Sequence, residues 1–266
     1  MLITLTTDFG YQDSFVGIMK GAIAGINPEA RVIDLTHGIP PQDILAGALI
    51  LRHSVPYFPP GTIHVVVVDP GVGGKRRPIL IESEGSYFVG PDNGVLSLAV
   101  AGKPNPRFIN LSNPAYHLLP SSATFHGRDI FAPVAAHLSR GIPPESFGER
   151  LEEIVRIELP KVLHLERLVL GEVIYIDGFG NLFTNIARRD LTGVAAERIE
   201  IRLREISIKG LQPHYAAVAE GDFAALFNSW GLLEIALNGG NARKKIGAKV
   251  GDKVEISLNS SAGGQK

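Results

Sequence analysis

Residues able to move protons cluster around one short stretch. In "HVVVVDPGVGGKRRP" four valines run into Asp69, a glycine-rich turn follows, and Lys75, Arg76 and Arg77 come next. A carboxylate flush against an apolar strand end is desolvated and calls for a cationic partner. Arg76 can return to Asp69 across "PGVGG". "SSATFHGRDIF" supplies Phe125, His126, Arg128 and Asp129. An acid, a guanidinium and an imidazole are the groups that general acid–base chemistry uses. More polar residues follow other apolar runs: Asp8 and Asp13 in "TTDFGYQD", Asp34, His37 and Asp43 in "DLTHGIPPQD", Asp92 and Asn93 in "FVGPDNG". Further on, "YIDGFGNLFTNI" holds Asp177, Phe179, Asn181 and Asn185. There Asn181 can hydrogen-bond a heterocycle edge and Phe179 can stack on it. "NSWGLLEIALNGGNA" brings Ser229, Trp230 and Glu234, and Tyr215 is another candidate stacking face.

Each of these residues also has a plainer reading. Asp13 suits a helix cap. His37 suits a turn residue bonded to backbone, and His126 a structural histidine. Lys75 and Arg77 read as solvated charges, and Arg76 admits the same reading. Asp92-Asn93-Gly94 suits a turn, and "DGFGN" a hairpin with a glycine bulge. Trp230 and Tyr215 suit plain packing. Familiar motifs fail: "GVGGKR" lacks the spacing and the Ser/Thr of a phosphate-binding loop, and "DFG" has no H-R-D companion. Two rival chemistries remain open. Asp8, Asp13, Asp69, His126 and Asp129 could ligate a hard metal for phosphoester hydrolysis, or the chain could bind a nucleoside without turnover.

These residues need elements to hold them. "MLITLTTD", "RVIDLTH", "TIHVVVVD", "PILIESE" and "SYFVGPD" read as strands. "DSFVGIMKGAIAGINP", "DILAGALILRHSVPYFP", "GVLSLAVAG" and "GRDIFAPVAAHLSRG" read as helices. The alternation predicts βαβ units and a mainly parallel sheet in an α/β domain over residues 1–160. The valine run lacks polar alternation, as a strand covered on both faces should. In such a sheet ligands sit beyond the carboxyl ends of the strands, where the polar residues collect. After the linker-like "IELPKVLHLE", the alternating strands "RLVLGEVIYIDGFGNLFTNI", "RIEIRLREISIKG" and "KVEISLN" predict an all-β, barrel-like domain over 161–258. Residues 259–266 have nothing to bury and read as a frayed tail.

The bulk numbers narrow the classes. A net charge of −1 argues against a nucleic-acid partner. With no cysteine, disulfides and thiolate chemistry are excluded. No run of about 18 apolar residues occurs, so no membrane span is expected. "MLITLTTDFG" lacks the regions of a signal peptide, so a cytoplasmic protein is expected.

The ordered blocks "TDFGYQDSFVGIMKG", "VIDLTHGIPPQDI", "VVVVDPGVGGKRRP", "VGPDNGVL", "TFHGRDIFAP", "IDGFGNLFTNI" and "NSWGLLEIA" resemble the S-adenosylmethionine hydroxide adenosyltransferases, relatives of the SAM-dependent fluorinase and chlorinase. The resemblance spans nearly the whole chain. It implies hydrolysis of S-adenosyl-L-methionine (SAM) to adenosine and L-methionine, with neither metal nor cofactor. The family's Asp–Arg–His set matches Asp69, Arg76 and His126. Its ribose-binding acid matches Asp8, its methionine-end acid Asp177, its adenine-contacting amide Asn181, and its stacking aromatics Phe179 and Tyr215. Asp13, Phe125, Ser229, Trp230 and Glu234 complete the expected substrate contacts. The halogenases carry tyrosine where Asp69 stands and lack the histidine of "FHGRD", which favours water over halide here. They also carry arginine, a substrate-carboxylate contact, where Trp230 stands, and their loop at "DGFGN" is one residue longer. The family further implies a homotrimer with active sites at subunit interfaces.

Overall fold

The computed structural model describes residues 1–258; the expected tail, 259–266, lies outside the described residues. The chain divides between Ile157 and Glu158 into two compact units.

In the first unit, seven strands form one sheet: β1 (Leu2–Thr7), β2 (Arg31–Thr36), β3 (Ile63–Val67), β4 (Pro78–Ser83), β5 (Ser86–Pro91), β6 (Arg107–Asn110) and β7 (Arg150–Leu151), ordered β2-β1-β3-β5-β4-β6-β7. The half formed by β2, β1, β3 and β5 is parallel; β4, β6 and β7 pair antiparallel. Helices α1 (Phe15–Ile26), α2 (Ile44–Ser54) and α3 (Ala132–Ser139) cover the sheet. Val65 and Val67 of β3 share a core with Met19 and Ile23 of α1 and Val134 of α3. On the opposite face α2 approaches closely, because a Cβ at Gly47 would lie 3.2 Å from the Val68 side chain. Cover on both faces explains why every residue of β3 is buried and none needs to be polar for solvent. His64, also on β3, is fully buried, and burial pushes its imidazole down to about 4.

Two expected helices differ. "GVLSLAVAG" forms only a 3-10 turn, Ser97–Ala99. There the Ser97 hydroxyl donates to the Gly94 carbonyl at 2.7 Å and accepts Ile157 N–H at 3.0 Å. The Asn93 side chain accepts Val95 N–H at 3.1 Å. Such local side-chain bonds compete with a helical ladder. The segment read as one helix from Gly127 begins instead with a wide π turn, Gly127–Phe131, before α3. Such turns are frequent at functional sites.

The second unit contains β8 (Leu163–His164), β9 (Leu168–Ile176), β10 (Leu182–Ala187), β11 (Ile199–Leu203), β12 (Ile206–Lys209), β13 (Phe223–Phe227), β14 (Leu232–Leu237), α4 (Ala242–Ile246) and β15 (Lys253–Leu258). All pairings are antiparallel, in the order β12-β11-β15-β9-β10-β14-β13, with β8 on β9. The end strands nearly close a barrel: Gln212, just past β12, donates its N–H to Ala225 of β13 at 2.7 Å. Inward aliphatic residues such as Val173, Ile201 and Ile235 fill it. Asn185 is structural; its side chain accepts Glu172 N–H and donates to the Pro160 carbonyl, both at 2.8 Å. Among the described residues no helix is long and apolar enough to cross a membrane.

Candidate active site

The chain leaves β1 toward β2 on one side and reaches β3 on the other, so the crevice at their carboxyl ends is a topological switch point. Asp8 follows β1 and Asp69 follows β3. Both line a pocket of about 420 Å³, together with Phe15, Gln42, Phe125 and His126.

Asp69 and Arg76 meet as the seven-residue spacing suggested. Arg76 Nε donates to Asp69 Oδ1 at 2.9 Å, and Nη2 donates to Oδ2. The side chains are only 5% and 9% exposed, so this ion pair is desolvated. The same Nη2 stands 2.7 Å from His126 Nδ1. Guanidinium nitrogens only donate, so Nδ1 must accept and the ring hydrogen sits on Nε2. Burial, then the charge of Arg76, holds the imidazole below its ordinary value. The ring is therefore neutral near pH 7. The guanidinium also lies 5.5 Å from the Phe131 ring centroid.

Close packing of two loops makes this contact possible. Gly73 has φ +73°, and a Cβ there would sit 2.1 Å from the Ala123 carbonyl oxygen. The glycine turn thus admits the backbone that precedes His126. Behind the turn, Asn93 donates to the Val68 carbonyl at 2.9 Å and steadies the end of the β3 run. Arg77 is not a solvated charge as expected: its Nε donates to Asp92 at 2.8 Å, where the carboxylate is 2% exposed. Asp92 also accepts Val155 N–H at 2.8 Å. Asp129, fully buried, pairs with Arg128 and accepts Ser122 N–H at 2.7 Å, bracing the loop that carries His126.

Asp8 accepts Gln42 N–H at 2.8 Å. Gln42 takes φ +65° to deliver it, a conformation that favours glycine and that persists where neighbouring structure enforces it. Phe9, Phe15 and Phe125 form an aromatic wall, with centroids 5.3–6.0 Å apart. Asp13 is exposed and outside the pocket lining. Sequence reasoning did not find Gln42, which acts through a main-chain N–H that any residue carries, or the ring of Phe15. The hard-metal constellation does not assemble, and no three His, Asp or Glu side chains among the described residues converge on one point.

The second unit gathers its own candidates. Asp177 Oδ1 accepts the N–H groups of Phe179 at 2.9 Å and Asn181 at 2.8 Å. Its Oδ2 accepts the Asn181 side-chain amide at 3.1 Å. Phe179 stands 78% exposed at the tip of this β9–β10 turn. Gly180 has no room for a Cβ, which would lie 2.2 Å from Asn241 at the start of α4. The Tyr215 hydroxyl donates to Glu234 at 2.8 Å. Glu234 is fully buried, and burial raises its carboxyl. Burial and that carboxylate push the Tyr215 phenol up to about 12. Ser229 is exposed in the β13–β14 turn. Beside it, Trp230 stacks on Tyr175 at 5.2 Å and meets Phe183 edge-on at 4.9 Å.

Comparison with known proteins agrees over most of the chain. The chain matches the SAM hydroxide adenosyltransferase N-terminal domain over residues 3–148 and the C-terminal domain over residues 171–255. It is 38% identical over 257 residues to an (R)-S-adenosyl-L-methionine hydrolase of Thermus thermophilus, covering 94% of this chain and 97% of that protein. A fluorinase of Nocardia brasiliensis is more distant, 28% identical over 293 residues, with 97% of each covered. Among solved structures, an uncharacterized conserved protein from Thermotoga maritima superposes with a TM-score of 0.89 at 36% identity, covering 97% of this chain and all of that one. With both domains matched in order and the Asp69–Arg76–His126 contact in place, this chain belongs to the SAM hydroxide adenosyltransferase family.

Proposed function

We propose that this protein hydrolyses S-adenosyl-L-methionine by attack of water at the 5′ carbon, giving adenosine and L-methionine. The observation that carries the reading is the Asp69–Arg76–His126 contact, with Asp69 and His126 on the wall of the first unit's pocket. SAM is a sulfonium. Its carbon–sulfur bond breaks with the electron pair leaving on sulfur, so methionine departs as a neutral thioether and needs no acid. The water oxygen forms the new bond to carbon and releases one proton. Asp69 accepts that proton. His126 accepts from Arg76 through Nδ1, so it offers the water an Nε2–H donor and is not the base. Arg76 holds both partners in place, bonded to Asp69 and to His126 Nδ1. In-line placement of water in a desolvated pocket supplies the rest of the acceleration.

In this reading Asp8 holds the two ribose hydroxyls with its two oxygens, and Phe125 packs beside the sugar. From the second unit, Asp177 serves the methionine end, Asn181 the adenine edge, and Phe179 and Tyr215 the adenine faces. Ser229, Trp230 and Glu234 shape that surface, and Asp13 lies at the substrate rim. The family resemblance supports a homotrimer, with one subunit's first unit facing its neighbour's second. A substrate made inside cells supports a cytoplasmic location.

Incubation with SAM in ¹⁸O-water, followed by mass analysis of the nucleoside, tests the reaction. The relatives' name specifies the (R) sulfonium, so both sulfur epimers are offered. Label on the 5′ oxygen of adenosine is expected. Release of no adenosine, or of unlabelled adenosine, would refute the reading.

The Gly73 packing gives a second expectation. In Gly73→Ala the new methyl must displace the Ala123 backbone and carry His126 away from Arg76. Misplacement on the order of 1 Å costs about 10²-fold in rate. Turnover should fall by that order while the protein stays folded by circular dichroism. An unchanged rate would show that the two loops need not touch.

A further inference from the structure

A buried imidazole outside the pocket lining remains. His37, in the loop after β2, is 1% exposed. Its Nδ1 stands 2.8 Å from Thr7 Oγ1, and Thr7 directly precedes Asp8. Thr7 Oγ1 also accepts Phe9 N–H at 3.2 Å, and because the oxygen beside Nε2 is a carboxylate oxygen that only accepts, Nδ1 is left to take the Thr7 hydroxyl hydrogen. The ring hydrogen then sits on Nε2, 3.1 Å from Asp34 Oδ1 along a bent approach. Asp34 Oδ2 takes Lys20 Nζ at 2.6 Å and the Tyr11 hydroxyl at 3.3 Å. Burial would raise the Asp34 carboxyl, but the Lys20 and His37 contacts outweigh it and hold it below its ordinary value. The Tyr11 ring meets the imidazole edge-on at 5.0 Å. The His37 carbonyl accepts Gly10 N–H at 2.8 Å.

The consequence falls on Asp8. The residues flanking it, Thr7, Phe9, Gly10 and Tyr11, connect directly or through one atom to His37 and Asp34. Neither His37 nor Asp34 lines the pocket. A carboxylate presenting two oxygens to a diol must be fixed to within about 0.5 Å, and its supporting residues do the fixing. Gln42 N–H orients the carboxylate itself, and the imidazole orients the main chain that bears it.

We propose that His37 is a positioning residue for Asp8: clamped between Thr7 and Asp34, it sets the turn that aims Asp8 at the nucleoside's vicinal hydroxyls. This rests on the reading of Asp8 as the ribose-binding acid. A merely structural histidine would, on removal, weaken every nucleoside alike; a positioning one would weaken only those that carry the hydroxyls.

Calorimetric titration of the full chain with adenosine and with 2′,3′-dideoxyadenosine separates these cases. The parent should prefer adenosine, and Asp8→Ala should abolish the preference. If Asp8→Ala keeps it, the ribose role of Asp8 is wrong and this inference falls with it. If Asp8→Ala loses it, His37→Leu should weaken adenosine by about 10-fold or more, with dideoxyadenosine nearly unchanged. His37→Asn, which keeps an acceptor toward Thr7, should recover part of the loss. Thr7→Val, close to isosteric, should reproduce the loss and serves if His37→Leu does not fold. Full preference in folded His37→Leu or Thr7→Val overturns the proposal, as does a parallel loss of both nucleosides.

Discussion

Asp69→Asn lowers SAM turnover by about 10²–10⁴-fold, the range a positioned general base contributes, while adenosine binds nearly as before. Asparagine keeps the size and one acceptor of the carboxylate, so the pocket wall persists, but it takes no proton from water. The effect should appear in kcat and not in KM, because the water is absent from the ground-state contacts of SAM. The check is a steady-state assay beside calorimetry with adenosine. A variant at parental rate would move the base elsewhere. His126 could not inherit the role while its Nδ1 accepts from Arg76.

Arg76→Met acts on stability as much as on rate. The ion pair lies at 5% and 9% exposure, and removing one partner strands the other charge in a poorly solvated place. Loss of one member of a buried pair typically costs about 3–5 kcal/mol. Urea denaturation should show that loss as a lower midpoint with an unchanged slope. Adding Asp69→Asn to Arg76→Met removes the stranded charge, so the double variant should be more stable than Arg76→Met alone. If the two losses simply added, Asp69 would be solvated in the folded protein and the pair would not be desolvated as described.

Much of this is legible in the sequence. The valine run into Asp69 identified a doubly covered strand, because no polar residue interrupted it. Arg76 was readable because its partner lies one turn away in the chain. Other parts were hidden by distance or by the main chain. "GVLSLAVAG" carries a helical spacing, but Ser97 and Asn93 bond backbone groups that a helix would use. The strands β13 and β14 flank the "NSWG" turn, whose polar and glycine residues mask their short apolar runs. Arg77 looked solvated because Asp92 is 15 residues away and is reached only through the sheet. Gln42 could not be read, since what it offers Asp8 is a peptide N–H. His37 in its sequence context suits a backbone-bonded turn residue, yet its side chain reaches the Thr7 hydroxyl.

The crossing of Gly73 over the Ala123 carbonyl also bears on engineering within this family. The glycine turn that follows Asp69 and the stretch that carries His126 are seated against each other, one glycine against one peptide oxygen. Grafting a halogenase's version of either segment alone would set a foreign surface against that seat. Converting a water-using scaffold into a halide-using one, or the reverse, therefore calls for exchanging both segments as a matched pair.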